Sequence, residues 1–359
     1  MNPETPSFPP ATPRNASLDI AKGIGILAVA FSHNWIVDHE EGEWHQILFS
    51  FHLPLFFFLS GIFIQESQAM KTFALSRADA LLKPYLTVLL LFCPLILWQG
   101  PASLAGYLGG MLYATGETIA VVPLWFLPHL FASLLFVKGL LPLLKDRHPR
   151  WLLTTALLLL AGGVHFIDFF WRRDLSAWPG FASFPETKLP GLPFSLDLLG
   201  ISSAYLLFGY HFRQASRNFT PRILPVLAAF LGYCLLHYTF HETIDLNYRI
   251  YNSLLIDSLQ AFLGIYLVMA FSAWIAGQAI FGPFLAYLGS ASLFILAFHY
   301  IPQQMAFPLL AGYSDSNELI GMESFVIGIV ASILAYELSR RAAWVGVFLL
   351  PMCKSGEKR

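Results

Sequence analysis

Residues 18–33 read Leu18-Asp19-Ile20-Ala21-Lys22-Gly23-Ile24-Gly25-Ile26-Leu27-Ala28-Val29-Ala30-Phe31-Ser32-His33, an apolar helix with a lysine near its start and a histidine at depth. Lys22 and His33 are eleven residues apart, close to three helical turns, so they share a helix face with a rise of roughly 16 Å between them. An ionisable side chain inside a membrane span is costly, and its default reading is chemistry or transport. Apolar runs of bilayer-crossing length recur along nearly the whole chain. Its 359 residues are 56% hydrophobic and 12% charged, about half the charge of a soluble globular protein. The expected fold class is all-α: a polytopic integral membrane helical bundle of about ten transmembrane helices.

Those spans are expected near 18–37, 47–64, 84–99, 123–144, 151–170, 194–212, 223–241, 253–277, 284–302 and 321–339. Residues 1–17, proline-rich and without apolar periodicity, read as a disordered tail. Residues 18–339 form the transmembrane domain and 340–359 a short basic tail. Lysines and arginines divide sixteen to four between the two sides, with Lys138 inside a span. That bias predicts both termini in the cytoplasm of a bacterial-type inner membrane. Arg14, the apolar run and Ala28-Val29-Ala30 imitate a cleaved signal peptide. Lys22 interrupts that run, however, and cleavage after Ala30 would sever it from His33, so the segment is read as a retained span. The bilayer is thus an expected partner and nucleic acid is not. The three cysteines, Cys93, Cys234 and Cys353, show neither disulfide nor ligand spacing.

His33 fits a proton-transfer role, since its unperturbed pKa near ~6.5 suits a base that activates a hydroxyl at neutral pH. It could equally carry a group covalently, or be a buried histidine satisfying a carbonyl. Asp19, one turn before Lys22, pairs with it in the simplest reading; Lys22 could also meet an anionic ligand. His237 and His241 stand four apart with Glu242 outside rather than between them, unlike a zinc-protease helix, so no metal is expected. Buried histidines and helix-breaking prolines also suit a secondary transporter, and a non-catalytic part of a polysaccharide export system is a third class. No mid-span carboxylate pair or repeat favours the transporter, and two costly ionisable groups count against the inert component.

The run from Leu18 to His33 resembles the first span of acyltransferase family 3, nearest its fucose 4-O-acetylase-like branch. Four further stretches resemble the family in order: Phe51-His52-Leu53-Pro54-Leu55-Phe56-Phe57-Phe58-Leu59-Ser60-Gly61, Leu82-Lys83-Pro84-Tyr85-Leu86, Leu124-Trp125-Phe126-Leu127-Pro128, and Tyr287-Leu288-Gly289-Ser290 through His299. Many members carry arginine where this chain has Lys22, which keeps the charge but loses the planar bidentate fork. The resemblance implies an O-acetyltransferase that moves acetyl from cytoplasmic acetyl-CoA, as co-substrate, to a sugar hydroxyl of an extracytoplasmic polysaccharide or lipid-linked oligosaccharide. It implies His33, with Lys22 and Asp19, as the catalytic set. It implies Lys22, Arg77 and Lys83 as contacts to the CoA phosphates. Trp125, near an outer boundary, fits an aromatic belt and could also stack on the acceptor sugar; His299 is most simply an interfacial or core histidine and could also approach the acceptor.

Overall fold

The structure, a computed structural model, describes residues 15–39, 42–100, 103–144, 147–174, 188–314 and 316–352. The expected tail at 1–17 therefore lies mostly outside the described residues. Its last residues already belong to the fold, because Asn15 caps helix α1 (Ala16–Ser32) by accepting from the Leu18 N–H at 3.2 Å. Short helices α2 (Trp35–His39) and α3 (Glu43–Phe49) lead into α4 (His52–Ile62). Next come α5 (Met70–Arg77), a π-helical turn at Ala78–Leu82, α6 (Lys83–Gln99) and α7 (Leu104–Tyr113). Helices α8 (Phe126–Leu144) and α9 (Pro149–His165) precede a ribbon of β1 (Trp171–Asp174) and β2 (Lys188–Pro190). Then follow α10 (Leu199–His211), α11 (Arg213–Arg217), α12 (Ile223–Phe240), a hairpin of β3 (Ile244–Asp245) and β4 (Ile250–Tyr251), and α13 (Leu254–Ile275). Helices α14 (Phe281–Ser290), α15 (Ser292–Phe298), α16 (Tyr300–Leu310), α17 (Asn317–Arg341) and α18 (Ala343–Leu349) complete the chain.

Among the described residues six helical stretches are long and apolar enough to cross a membrane: Glu43–Ile62, Met70–Gln99, Val122–Leu144, Ile223–Phe240, Leu254–Ile275 and Asn317–Arg341. Helices α14 and α15, bent by 63° at their junction, make a seventh if taken as one span. The ten expected spans are not reached by this measure. Helices α1 and α9 have 17 residues and α10 has 13, short of the ~20 that a perpendicular crossing needs. Helix α1 stops at Ser32 instead of running to residue 37, because the chain turns at His33 and Asn34. The 340–359 segment is not merely a tail, since α17 extends to Arg341 and α18 packs on α6. Residues 353–359 lie outside the described residues.

Backbone contact between helices rests on glycine. A Cβ on Gly23 would collide with the Leu285 carbonyl of α14, and one on Gly289 with the Asp19 carbonyl of α1. Gly61 of α4 and Gly209 of α10 stand in the same relation, against the Leu206 and Phe58 carbonyls. In lipid no hydrophobic force drives helices together, so small residues that allow close van der Waals approach supply the cohesion. Helix α12 shows the complementary surface: Leu224, Leu231 and Leu235 remain 75%, 66% and 68% exposed, as a lipid-facing helix requires.

The bundle has two chemically distinct ends. At one, Asn15 donates from its side chain to the Arg217 carbonyl (2.7 Å), Arg213 pairs with Glu66 (2.7 Å), and Lys138 donates to the Gln65 and Glu66 carbonyls (2.6 and 2.8 Å). This basic end gathers Lys22, Arg77, Lys83 and Arg340. The far end holds α3, β1–β2 and the β3–β4 hairpin, and its four cations are Arg172, Arg173, Lys188 and Arg249.

Candidate active site

One cavity of about 1000 Å³ joins the two ends, at the upper limit of ordinary ligand sites. Asp19, Lys22 and Arg77 line it at the basic end, His33 and His52 further along, and Gln46, Asp245, Asn247 and Tyr248 at the far end. Helix α1 therefore presents Lys22 and His33 to a single space, as their spacing predicted.

At the basic end Lys22 Nζ lies 3.5 Å from Asp19 Oδ1 and 4.2 Å from the centre of the Phe63 ring. Asp19 and Lys22 are thus an ion pair on the cavity wall. Arg77 is the last residue of α5, directly before the π-helical turn, and such turns cluster at functional sites because they re-aim a side chain. Its guanidinium stands 5.1 Å over the Phe73 ring, and its Nε–H is buried without a hydrogen-bond partner. A buried donor on an arginine is costly unless something accepts from it.

Lys83 is placed differently from the sequence expectation. Its ammonium is 2.6 Å from Asp79 Oδ1 and donates to the Leu350 carbonyl at 2.7 Å, and it is absent from the cavity wall. Asp79 also accepts from the Met352 N–H at 2.6 Å. The pair clasps the segment after α18, whose Pro351 lines the cavity. Lys83 therefore shapes the cavity mouth through the chain it holds.

His33 caps α1 and is half-buried, so it sits at the helix end and not within it. Its carbonyl accepts from Gln303 (2.8 Å) and Gln304 (3.3 Å), and Asn34 donates to the Gly321 carbonyl at 2.8 Å. These bonds to α16 and α17 fix the turn and with it the imidazole. The His33 ring lies 5.7 Å from that of His299 and 5.8 Å from that of Tyr300, between centroids. His299 donates through Nδ1 to the Ile295 carbonyl at 2.6 Å, leaving Nε2 a buried acceptor without a partner. His299 does not line the cavity; it stands behind His33 and does not meet the space directly. His52 likewise donates from Nδ1 to the Leu48 carbonyl (2.6 Å) while its side chain lines the cavity.

Trp125 is buried and lines the cavity, 5.6 Å from the His129 ring. At the far end the Asp245 carboxylate accepts from the Asn247 and Tyr248 N–H groups at 2.9 and 3.1 Å, closing the hairpin turn. Arg249, at φ 57°, forms a fully buried pair with Asp197 at 2.9 Å and donates to the Asn247 carbonyl at 2.7 Å. The Tyr251 hydroxyl meets those of Tyr205 (2.9 Å) and Ser258 (2.7 Å), and burial pushes its pKa up to about 12. It therefore remains a proton donor at physiological pH, and the hairpin is pinned to α10 and α13. His237 Nε2 meets Glu43 at 2.5 Å, with the His241 ring 6.2 Å away. Among the described residues no group of three or more His, Cys, Asp or Glu side chains is arranged to hold a metal ion.

Sequence reasoning missed Gln46, Asn247 and Tyr248, which belong to a short helix and a hairpin with no motif of their own. It also missed the π-helical turn, which no local pattern announces. No curated protein and no solved structure matches the chain. The acyltransferase domain model of family 3 matches residues 15–336, a stretch that holds every cavity-lining residue discussed above except Pro351. A multi-pass helical chain, a histidine on a cavity that crosses the bundle and a match over most of its length lead to one conclusion: this chain belongs to the acyltransferase 3 family of membrane acyltransferases.

Proposed function

We propose that the protein is an integral-membrane O-acetyltransferase that takes acetyl from acetyl-CoA at the cytoplasmic face and gives it to a sugar hydroxyl of an extracytoplasmic polysaccharide or lipid-linked oligosaccharide. The observation that carries this reading is the cavity lined by Lys22 and Arg77 at one end and by His33 further along. On the positive-inside rule the basic end is read as cytoplasmic, with both termini on that side of a bacterial-type inner membrane. The donor's phosphates lie against Arg77 and Lys22, where cationic groups offset their charge. The pantetheine arm then follows α1, and its length matches the roughly 16 Å rise from Lys22 to His33.

His33 takes the proton from the attacking hydroxyl as the new C–O bond forms at the thioester carbon. The C–S bond breaks, and the proton passes to the departing thiolate. Direct transfer accounts for the reaction with one base and no second carrier. Radiolabelled acetyl-CoA supplied to purified protein in nanodiscs without acceptor tests this route: absence of label on the protein supports it, and label on a histidine overturns it in favour of a relay. The overall reading is tested by comparing glycan mass profiles of cells with and without the gene. Loss of acetyl-sized increments from one glycan is the expected result, and identical profiles would refute the reading.

A further inference from the structure

Behind His33 stands a second imidazole that the transfer step does not use. His299, at the junction of α15 and α16, has no exposed surface and does not line the cavity. Its Nδ1 lies 2.6 Å from the Ile295 carbonyl oxygen, one turn back along the chain. A carbonyl only accepts, so Nδ1 carries the ring proton and Nε2 presents a lone pair. That nitrogen is buried and has no hydrogen-bond partner, a costly state for a polar atom in an interior. The ring contacts of His299 are with His33, 5.7 Å between centres, and with Tyr300 at 6.4 Å. Two imidazoles joined by an N–H···N bond of ~2.9 Å have centres about 5 Å apart, so the two histidines stand within reach of one. Catalytic hydrogen bonds of this kind commonly tighten in the substrate complex.

The neighbouring polar groups are committed elsewhere. Gln303 Oε1 is also buried without a partner, but it lies 3.4 Å from where a Cβ on Gly328 would stand, on the α17 side. His52 is tethered as His299 is, through Nδ1 to the Leu48 carbonyl at 2.6 Å, yet it lines the cavity. Gln303 and Gln304 hold the main chain of His33, which leaves open which ring nitrogen carries its proton. A base that meets substrate through one nitrogen is oriented by a fixed group that accepts from the other.

We propose that His299 is the positioning residue for His33: its Nε2 accepts the N–H of the His33 nitrogen turned away from the cavity, so that the other nitrogen offers its lone pair to the acceptor hydroxyl. The inference rests on the acetyltransferase reading and adds a residue to its transfer step. When the cavity-side nitrogen takes the hydroxyl proton, His33 becomes an imidazolium whose second N–H still donates to His299, now as a charge-assisted bond. No proton passes to His299. The one gained leaves from the same cavity-side nitrogen to the thiolate, and His33 returns to its starting tautomer.

Two variants separate the tether from the acceptor. An asparagine amide stands where Nδ1 does, so His299→Asn keeps a donor for the Ile295 carbonyl and loses the Nε2 acceptor. A glutamine amide reaches the Nε2 position, so His299→Gln keeps an acceptor for His33 and loses the tether. The full chain in nanodiscs is supplied with acetyl-CoA, and with methyl glucoside as the acceptor probe, and CoA release is followed with a thiol-reactive dye. His299→Asn should lower kcat about a hundredfold, within the ~10²–10⁴ that a general base supplies, with wild-type KM for acetyl-CoA and wild-type thermal unfolding. His299→Gln should stay within about tenfold of wild-type kcat, well above the asparagine variant. In a His33→Gln background His299→Asn should have no further effect, because residues that act through one another are not additive. Wild-type kcat in His299→Asn, equal losses in the two variants, or a loss that persists in the His33→Gln background overturns the inference and leaves the acyltransferase reading standing. A folded wild-type protein that releases no CoA defeats that reading, and the inference with it.

Discussion

Lys22, within helix α1, and His33, which caps it, line the same cavity, so α1 itself sets the separation between the positive charge and the imidazole. Neither residue can shift along the bundle without the other, because Gly23 holds α1 against α14 and Asn34 ties its end to α17.

Removing the base while keeping the shape is the sharpest probe of that arrangement. His33→Gln should lower turnover by ~10²–10⁴, the usual worth of a general base. Membrane level and acetyl-CoA affinity should stay at wild-type values. Wild-type turnover in the Gln variant, measured by CoA release, would reduce His33 to a packing residue.

Arg77 and Lys83, alike in sequence, should separate in experiment. Arg77→Gln should weaken acetyl-CoA binding roughly ten- to hundredfold, corresponding to loss of one charged contact of ~1.5–3 kcal/mol. Lys83→Gln should act mainly on stability, because the partners it would lose are Asp79 and the Leu350 carbonyl. Titration calorimetry and thermal unfolding, run on both variants, distinguish the two; equal loss of affinity would place Lys83 on the ligand after all.

The Asp197–Arg249 pair has no exposed side-chain surface. Asp197→Asn should therefore cost ~3–5 kcal/mol, since a buried guanidinium is left without its counter-charge. Replacing both residues by apolar ones of similar volume should recover most of that loss. A single variant as stable as wild type in denaturant titrations would show that water reaches the pair.

Helix crossing gives a purely steric prediction. Gly61→Leu places side-chain atoms where the Leu206 carbonyl lies and should destabilise by at least ~1–3 kcal/mol through overpacking. Gly109→Ala is the control, because a Cβ there meets nothing within 4 Å. Indistinguishable melting of the two variants in detergent would argue against the α4–α10 contact.

Sidedness can be read directly. Reporter fusions after residues 217 and 345 should report cytoplasm, and those after 110 and 312 the exterior. Reversal at 217 and 312 together would mean that the short helices α9 and α10 do not each cross.

The membrane class, the helical bundle and the Lys22–His33 face were legible because 3.6-residue periodicity and the cost of charge in lipid are local properties. Asp19 pairs with Lys22, as their one-turn spacing allowed, and both line the cavity with Trp125. Span number was less legible: α1 breaks at His33 through bonds donated by Gln303 and Gln304, some 270 residues away. The placement of Lys83 off the cavity wall was illegible for the same reason, its carbonyl partner being 267 residues distant. Gln46 and Asn247 carry no signature at all, and only the fold brings them to one wall.

The crossing of α1 with α14 also has a consequence for biogenesis. Helix α1 finds its closest backbone partners more than 250 residues later in the chain, in α14 and at Gly321 of α17. Contacts so distant along the chain form late, after long loop closure. Until α14 and α17 have inserted, α1 waits in the bilayer with Lys22 and His33 but without the neighbours that shape a site around them. A nascent chain that stops short of α14 therefore lacks the wall that α14 and α15 give the cavity through Gly289, Ser290 and Leu296.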